Sequence, residues 1–149
     1  MKLQLAYDVG TYQDLVILIN KIHDLIDIIE IGTPLILREG LGKISHVKKK
    51  FPNKKIIADT KIMDAGEIEA DIGFDSGADI VSVLGLASMN TLLGVKTSAN
   101  KKNKQVMVDM INHPDPVMHW MEILKYGLDY ICLHIAHDDI NNTKYMLNI

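Results

Sequence analysis

Short apolar runs in this chain end in, or enclose, ionisable residues: Asp8, Glu30, Asp59, Asp109 and His134. Lys61 follows Asp59 by two positions and Asp64 lies three further on, within Ala58-Asp59-Thr60-Lys61-Ile62-Met63-Asp64. Glu30 sits in Asp27-Ile28-Ile29-Glu30-Ile31, where a carboxylate needs a cation or a hydrogen-bond partner once its neighbours are buried. Glu30 and Asp59 together suit Mg²⁺, a hard cation held by few protein carboxylates that keeps positions for water or substrate oxygens. Such an ion polarises a ketone and stabilises an enediolate. Imidazole moves protons near neutrality, which suits His134 to acid–base work. Lys61, between Asp59 and Asp64, is expected to stay charged and to support developing negative charge. Each residue also has a plainer role. Asp8 is equally suited to capping the turn after it, Asp59 and Lys61 to a structural ion pair, Asp109 to pairing with Lys61, and His134 to a hydrogen-bonded place in the core. The recurrence of charge at the same end of five apolar runs favours a ligand, metal or catalytic site, because unpaired charge inside a fold is costly.

The elements that must position these groups follow from periodicity. Apolar runs at Leu3–Tyr7, Ile28–Ile31, Lys55–Ala58, Ile80–Leu84, Gln105–Met110 and Tyr130–Leu133 are rich in Val and Ile and read as buried strands. Helix-like stretches of about 10 to 17 residues separate them. Thr11 and Asp14 form a capping box at the first; Pro34, Pro114 and Pro116 mark helix starts, and Gly77 and Gly127 helix ends. Leu15, Leu18, Ile19 and Ile22 form a helical stripe that packs as core. Lys48–Lys50 and Lys101–Lys104 read as solvated helix ends. Strict alternation of β and α implies parallel strands with right-handed crossovers. In a (β/α) barrel, chemistry gathers at the C-terminal ends of the strands, where the charges above lie; the run ending Val83-Leu84-Gly85 has none.

The 149 residues, 48% of them hydrophobic, suffice for one core, and a net charge of −3 offers nothing to nucleic acid or an anionic membrane. The lone Cys132 makes no internal disulfide, which favours a reducing cytoplasm. No signal peptide is visible and no apolar run reaches the roughly 20 residues of a membrane span.

The segment Ala58 to Gly66 carries the pattern D-x-K-x-x-D through Asp59, Lys61 and Asp64, and resembles the orotidine 5′-monophosphate decarboxylase suprafamily. Leu3 to Asp8, Asp27 to Pro34 and Val108-Asp109-Met110-Ile111 agree, and the likeness runs to about residue 138. Within the suprafamily the chain resembles the 3-hexulose-6-phosphate synthases, having Glu30 where orotidine decarboxylases have lysine, and Asp109-Met110-Ile111 where the 3-keto-L-gulonate-6-phosphate decarboxylases usually have glutamate. The resemblance implies a (β/α)8 TIM-barrel type of α/β fold in one domain over residues 1–149, with about six βα units present and the last two strands absent. It implies Mg²⁺ on Glu30 and Asp59. Asp8, Lys61 and Asp64 would surround a sugar phosphate, with Asp64 reaching the partner's site across a homodimer. Asp109 and His134 would complete proton transfer.

The implied reaction is aldol addition of formaldehyde to D-ribulose 5-phosphate, with His134 removing the C1 proton. Two departures stand out. The family's His-x-Gly-x-Asp reads His134-Ile135-Ala136-His137-Asp138 here, with His137 at a position often Tyr in synthases and Arg in the decarboxylases. Glycine-rich loops that hold the substrate phosphate in this family have no counterpart after Asp138. The rival expectations are a 3-keto-L-gulonate-6-phosphate decarboxylase, which releases CO₂, and a barrel fragment without catalysis.

Overall fold

The computed structural model describes residues 1–140. Six strands form one sheet: β1 (Gln4–Tyr7), β2 (Ile28–Ile31), β3 (Lys55–Ile62), β4 (Ile80–Leu84), β5 (Gln105–Asp109) and β6 (Tyr130–Cys132). Every pairing is parallel, and the spatial order is the chain order from β1 to β6. An open doubly wound sheet reverses its strand order at a switch point, whereas a barrel wall never does. The sheet is therefore the wall of a (β/α) barrel, six strands wide among the described residues.

The helices α1 (Tyr12–Ile22), α2 (Thr33–Glu39), α3 (Ile44–Lys50), α4 (Gly66–Asp75), α5 (Met89–Lys102) and α6 (Pro116–Ile123) fill the crossovers. Thr11 caps α1 with the expected capping box: its side chain accepts from the Asp14 N–H, and Asp14 accepts from the Thr11 N–H. Pro34 and Pro116 open α2 and α6. The single helix expected between β2 and β3 is instead two short ones. Gly40, at φ +77°, ends α2, and a 3-10 turn precedes α3. Between α4 and α5, a Cβ on Gly66 would strike the Thr91 carbonyl, so this glycine lets two backbones pack in direct contact.

Period-two geometry sorts the strand residues. One face, with Ile29, Ile31, Ile56, Ala58, Val81, Val83, Val106 and Val108, is buried under Leu15, Ile19, Leu35, Leu92 and Val95 of the helices. The other face is the barrel interior, where Ile57, Ile80 and Met107 form a small apolar layer. Asp59 and Asp109, two residues beyond Ile57 and Met107, rise from that layer towards the C-terminal end, and Lys55 and Gln105 project from it the other way.

The N-terminal edge is pinned by three aspartates, each just before a strand, each accepting an N–H from the neighbouring chain segment. Asp27 takes Leu3 N–H at 2.8 Å, Asp79 takes Ile56 N–H at 3.0 Å, and Asp129 takes Val106 N–H at 3.0 Å. Two lysines expected at solvated helix ends turn inward here, Lys48 and Lys104 both pairing with Asp79 at 2.7 and 2.8 Å. Carboxylates already committed to backbone attract these long side chains over the sheet edge. No helix among the described residues is long and apolar enough to cross a membrane.

Candidate active site

A cleft of about 900 Å³ opens at the C-terminal end of the strands. Into it face Asp8 from the end of β1, Glu30 from β2, Asp59 and Lys61 from β3, Asp109 from β5 and His134 beyond β6. Six of the seven expected site residues thus converge. Asp64 does not line this cleft. It is exposed at the β3–α4 turn, where its carboxylate accepts the Ala65 N–H at 2.7 Å.

Lys61 joins two buried carboxylates, reaching Asp59 Oδ2 at 2.7 Å and Asp109 Oδ2 at 2.9 Å, with Asp59 6% and Asp109 2% exposed. It does so through an irregular backbone. The β3–β4 register shifts between Ala58 and Ile62, and Lys61 has φ +49°, a conformation that costs a non-glycine residue energy and recurs at functional sites. The bulge extends β3 four residues past the expected Ala58.

Asp59 is held from every side. Ser82 donates to Oδ1 at 2.7 Å, Thr33 lies 2.8 Å from Oδ2, and Lys61 completes the set. Burial pushes the Asp59 carboxyl up, but hydrogen bonds from Lys61 and Ser82 outweigh it and bring it below the usual carboxylate range. Lys61 is likewise pushed down by burial, yet its bonds to Asp59 and Asp109 raise it, so it is a cation throughout the physiological range.

His134 Nδ1 lies 3.0 and 2.9 Å from the two oxygens of Asp109. An ionised carboxylate only accepts, so Nδ1 donates and Nε2 carries the free lone pair. Asp109 also accepts the Ile111 N–H at 2.9 Å, which fixes its plane. The result is a chain of contacts from Asp59 through Lys61 and Asp109 to His134.

Glu30 has a different environment. Burial raises its carboxyl above the usual range; a hydrogen bond from Gln4 opposes this, and the charges of Asp59 and Asp8 add to the rise. Three carboxylates thus share this side of the cleft with Lys61 as the opposing cation. Oxygen donors in that crowding fit a hard divalent ion, and Asp59 Oδ1, with one hydrogen bond, keeps an acceptor position for it.

Asp109, Cys132 and His134 also place ligand-type atoms within 4.8 Å of one another. Burial and the charges of Asp109, Glu30 and Asp59 push the Cys132 thiol up to about 11, so without a cation beside it this member of the trio is a neutral thiol. Its other two members are already hydrogen-bonded to each other.

The sequence profile of the family described as "Orotidine 5'-phosphate decarboxylase / HUMPS family" matches residues 1–146. The chain belongs to that family. A 3-hexulose-6-phosphate synthase of Bacillus subtilis is 41% identical over 138 residues, covering 93% of this chain and 66% of the relative. One of Mycobacterium gastri is 43% identical over 148 residues, covering 99% of this chain and 72% of the relative. A crystal structure of a 3-hexulose-6-phosphate synthase superposes with a TM-score of 0.94 at 42% identity, over 99% of this chain and 72% of that one. The chain spans about two thirds of the length of the curated relatives it matches.

The candidate site of this family member contains three side chains that patterns of charged residues do not reveal. Ser82 is fully buried in β4, the strand without charge, and Thr33 stands at the start of α2. Cys132 precedes His134 by two, so strand periodicity alone puts both on the inner face. Gly32, the residue before Thr33, leaves room that the Asp8 carboxylate fills; a Cβ there would overlap it.

Proposed function

We propose that this chain catalyses Mg²⁺-dependent addition of formaldehyde to D-ribulose 5-phosphate, forming D-arabino-hex-3-ulose 6-phosphate, in the reducing cytoplasm. The observation that carries the reading is the His134–Asp109–Lys61–Asp59 chain facing Glu30 across one cleft. Its likeness to synthases over nearly its whole length supports the same reaction.

Glu30 and Asp59 would hold Mg²⁺, which when bound supplies Lewis-acid polarisation of the substrate ketone. His134 Nε2 takes the proton from C1, while Asp109 keeps Nδ1 protonated and steadies the imidazolium that forms. The electron pair left at C1 makes the new carbon–carbon bond to formaldehyde, and a proton returns to the resulting alkoxide. Lys61 bonds Asp59 and Asp109 and directs its positive charge at the developing negative oxygen. Asp8, exposed at the rim, contacts substrate hydroxyls.

Asp64, standing outside its own cleft beside the exposed Met63 and Ile68, serves the site of a second copy in a homodimer. His137, on the cleft wall and almost fully exposed, is free to contact substrate.

The test follows C1 hydrogen exchange with solvent deuterium in ribulose 5-phosphate. His134→Asn abolishes exchange while leaving Mg²⁺ binding close to parent affinity. Exchange at the parent rate in that variant excludes His134 as the base. Release of CO₂ from 3-keto-L-gulonate 6-phosphate, without formaldehyde condensation, would replace the synthase reading with the decarboxylase one.

A further inference from the structure

A second cleft, about 640 Å³ in volume, lies at the N-terminal end of the strands, the end opposite the catalytic cleft. Five lysine ammonium groups line it against two carboxylates, Asp79 and Asp129, leaving three positive charges in a chain of net charge −3. The two carboxylates are already committed, each accepting a strand N–H as well as lysine. Lys48 and Lys104 share Asp79, and Lys96 takes Asp129.

Among the described residues, no carboxylate pairs with Lys54 or Lys55. Lys54 Nζ donates to the Ile26 carbonyl and Lys55 Nζ to the Gln105 side-chain oxygen, both uncharged acceptors, so each ammonium group has spare N–H donors. The C-termini of α3 and α5 contribute roughly half a negative charge each, which still leaves an excess of about two positive charges. An excess of that size at a concave surface matches a dianion. The volume lies within the usual span for small-molecule sites.

We propose that this N-terminal cleft binds a phosphorylated small molecule carrying two or more negative charges, gripped chiefly by Lys54 and Lys55. The ligand's phosphate oxygens take the N–H donors that Ile26 and Gln105 leave free. Asn53 and Asn103 at the rim supply amides to the rest of the molecule. This site is independent of the catalytic cleft and of the reaction proposed for it.

Inorganic pyrophosphate is the probe, added to ¹⁵N-labelled protein in EDTA at low ionic strength, with amide shifts followed by NMR. Saturable shifts are expected at Asn53–Lys55 and Asn103–Gln105. The Lys54→Gln/Lys55→Gln double variant should bind about tenfold more weakly or worse, since contact attraction scales with the charges removed. Lys54→Arg/Lys55→Arg should restore binding. Shifts that never saturate, that fall only around Asp8, Glu30 and Asp59, or that are undiminished in the glutamine variant would overturn the proposal. The parent titration alone decides the location, even if the double variant misfolds.

Discussion

Ser82→Ala removes one oxygen from the centre of the site and should be expensive. Ser82 is fully buried, donates to Asp59 Oδ1 at 2.7 Å and accepts the Lys61 N–H at 2.9 Å. Alanine fits the space but breaks a bond to a charged acceptor, worth about 1.5–3 kcal/mol, and orphans an N–H at about 1–3 kcal/mol. The two losses overlap in one place, so a total of about 2–4 kcal/mol is expected rather than their full sum. For a chain of this size that lowers Tm by roughly 5–15 °C. The deficit should also depend on pH. Asp59 titrates below its ordinary value, so its stabilisation is present above the unfolded carboxyl value of 3.8 and is lost as pH falls through the folded one. Losing the Ser82 bond gives back part of that stabilisation, and the parent–variant gap should narrow in acid. Urea denaturation at pH 7 and at pH 3 measures both. A loss under about 0.5 kcal/mol at pH 7 would refute the view that Ser82 holds Asp59 and the strained Lys61 backbone together.

Glu30→Gln should raise the Tm of the metal-free protein, because burial and like charges penalise the ionised carboxylate. The folded value lies above the unfolded 4.5, so the gain is absent below pH 4.5 and grows as pH rises through the folded value; Mg²⁺ should no longer raise Tm in this variant. Lys61→Met leaves Asp59 and Asp109 facing each other without their cation and should cost about 3–5 kcal/mol in urea denaturation at pH 7. A cost under about 1 kcal/mol would show that the pair is not buried as described. Asp64→Asn and His134→Asn should each be inactive alone, and mixing them equally under subunit exchange should recover roughly a quarter of parent activity; no recovery would place Asp64 outside the partner's site.

The strands were legible because Val- and Ile-rich runs recur with charge at one end, and all six lie where that pattern puts them. The convergence of the candidate residues on one cleft was legible where period-two geometry and ionisable side chains coincide, as at Glu30, Asp59, Asp109 and His134. Ser82 escaped because a hydroxyl in an apolar strand carries no charge to draw attention, although its position alternates with Ile80 on the inner face. The extension of β3 through Lys61 escaped because nothing in Asp-Thr-Lys-Ile signals φ +49°; tertiary contacts to Asp59, Ser82 and Asp109 impose it. The break between α2 and α3 has a signal in Gly40 and Gly42, whose low helix propensity interrupts the stretch after Pro34. Lys48 and Lys104 look like ordinary helix-end lysines until Asp79 is seen beneath both.

The most direct test of the central claim is formaldehyde consumption with ribulose 5-phosphate by purified, folded chain, in Mg²⁺ and in EDTA. Turnover to a hexulose 6-phosphate is expected, and it should disappear with EDTA and in His134→Asn. Folded, Mg²⁺-saturated chain that consumes no formaldehyde would contradict that claim.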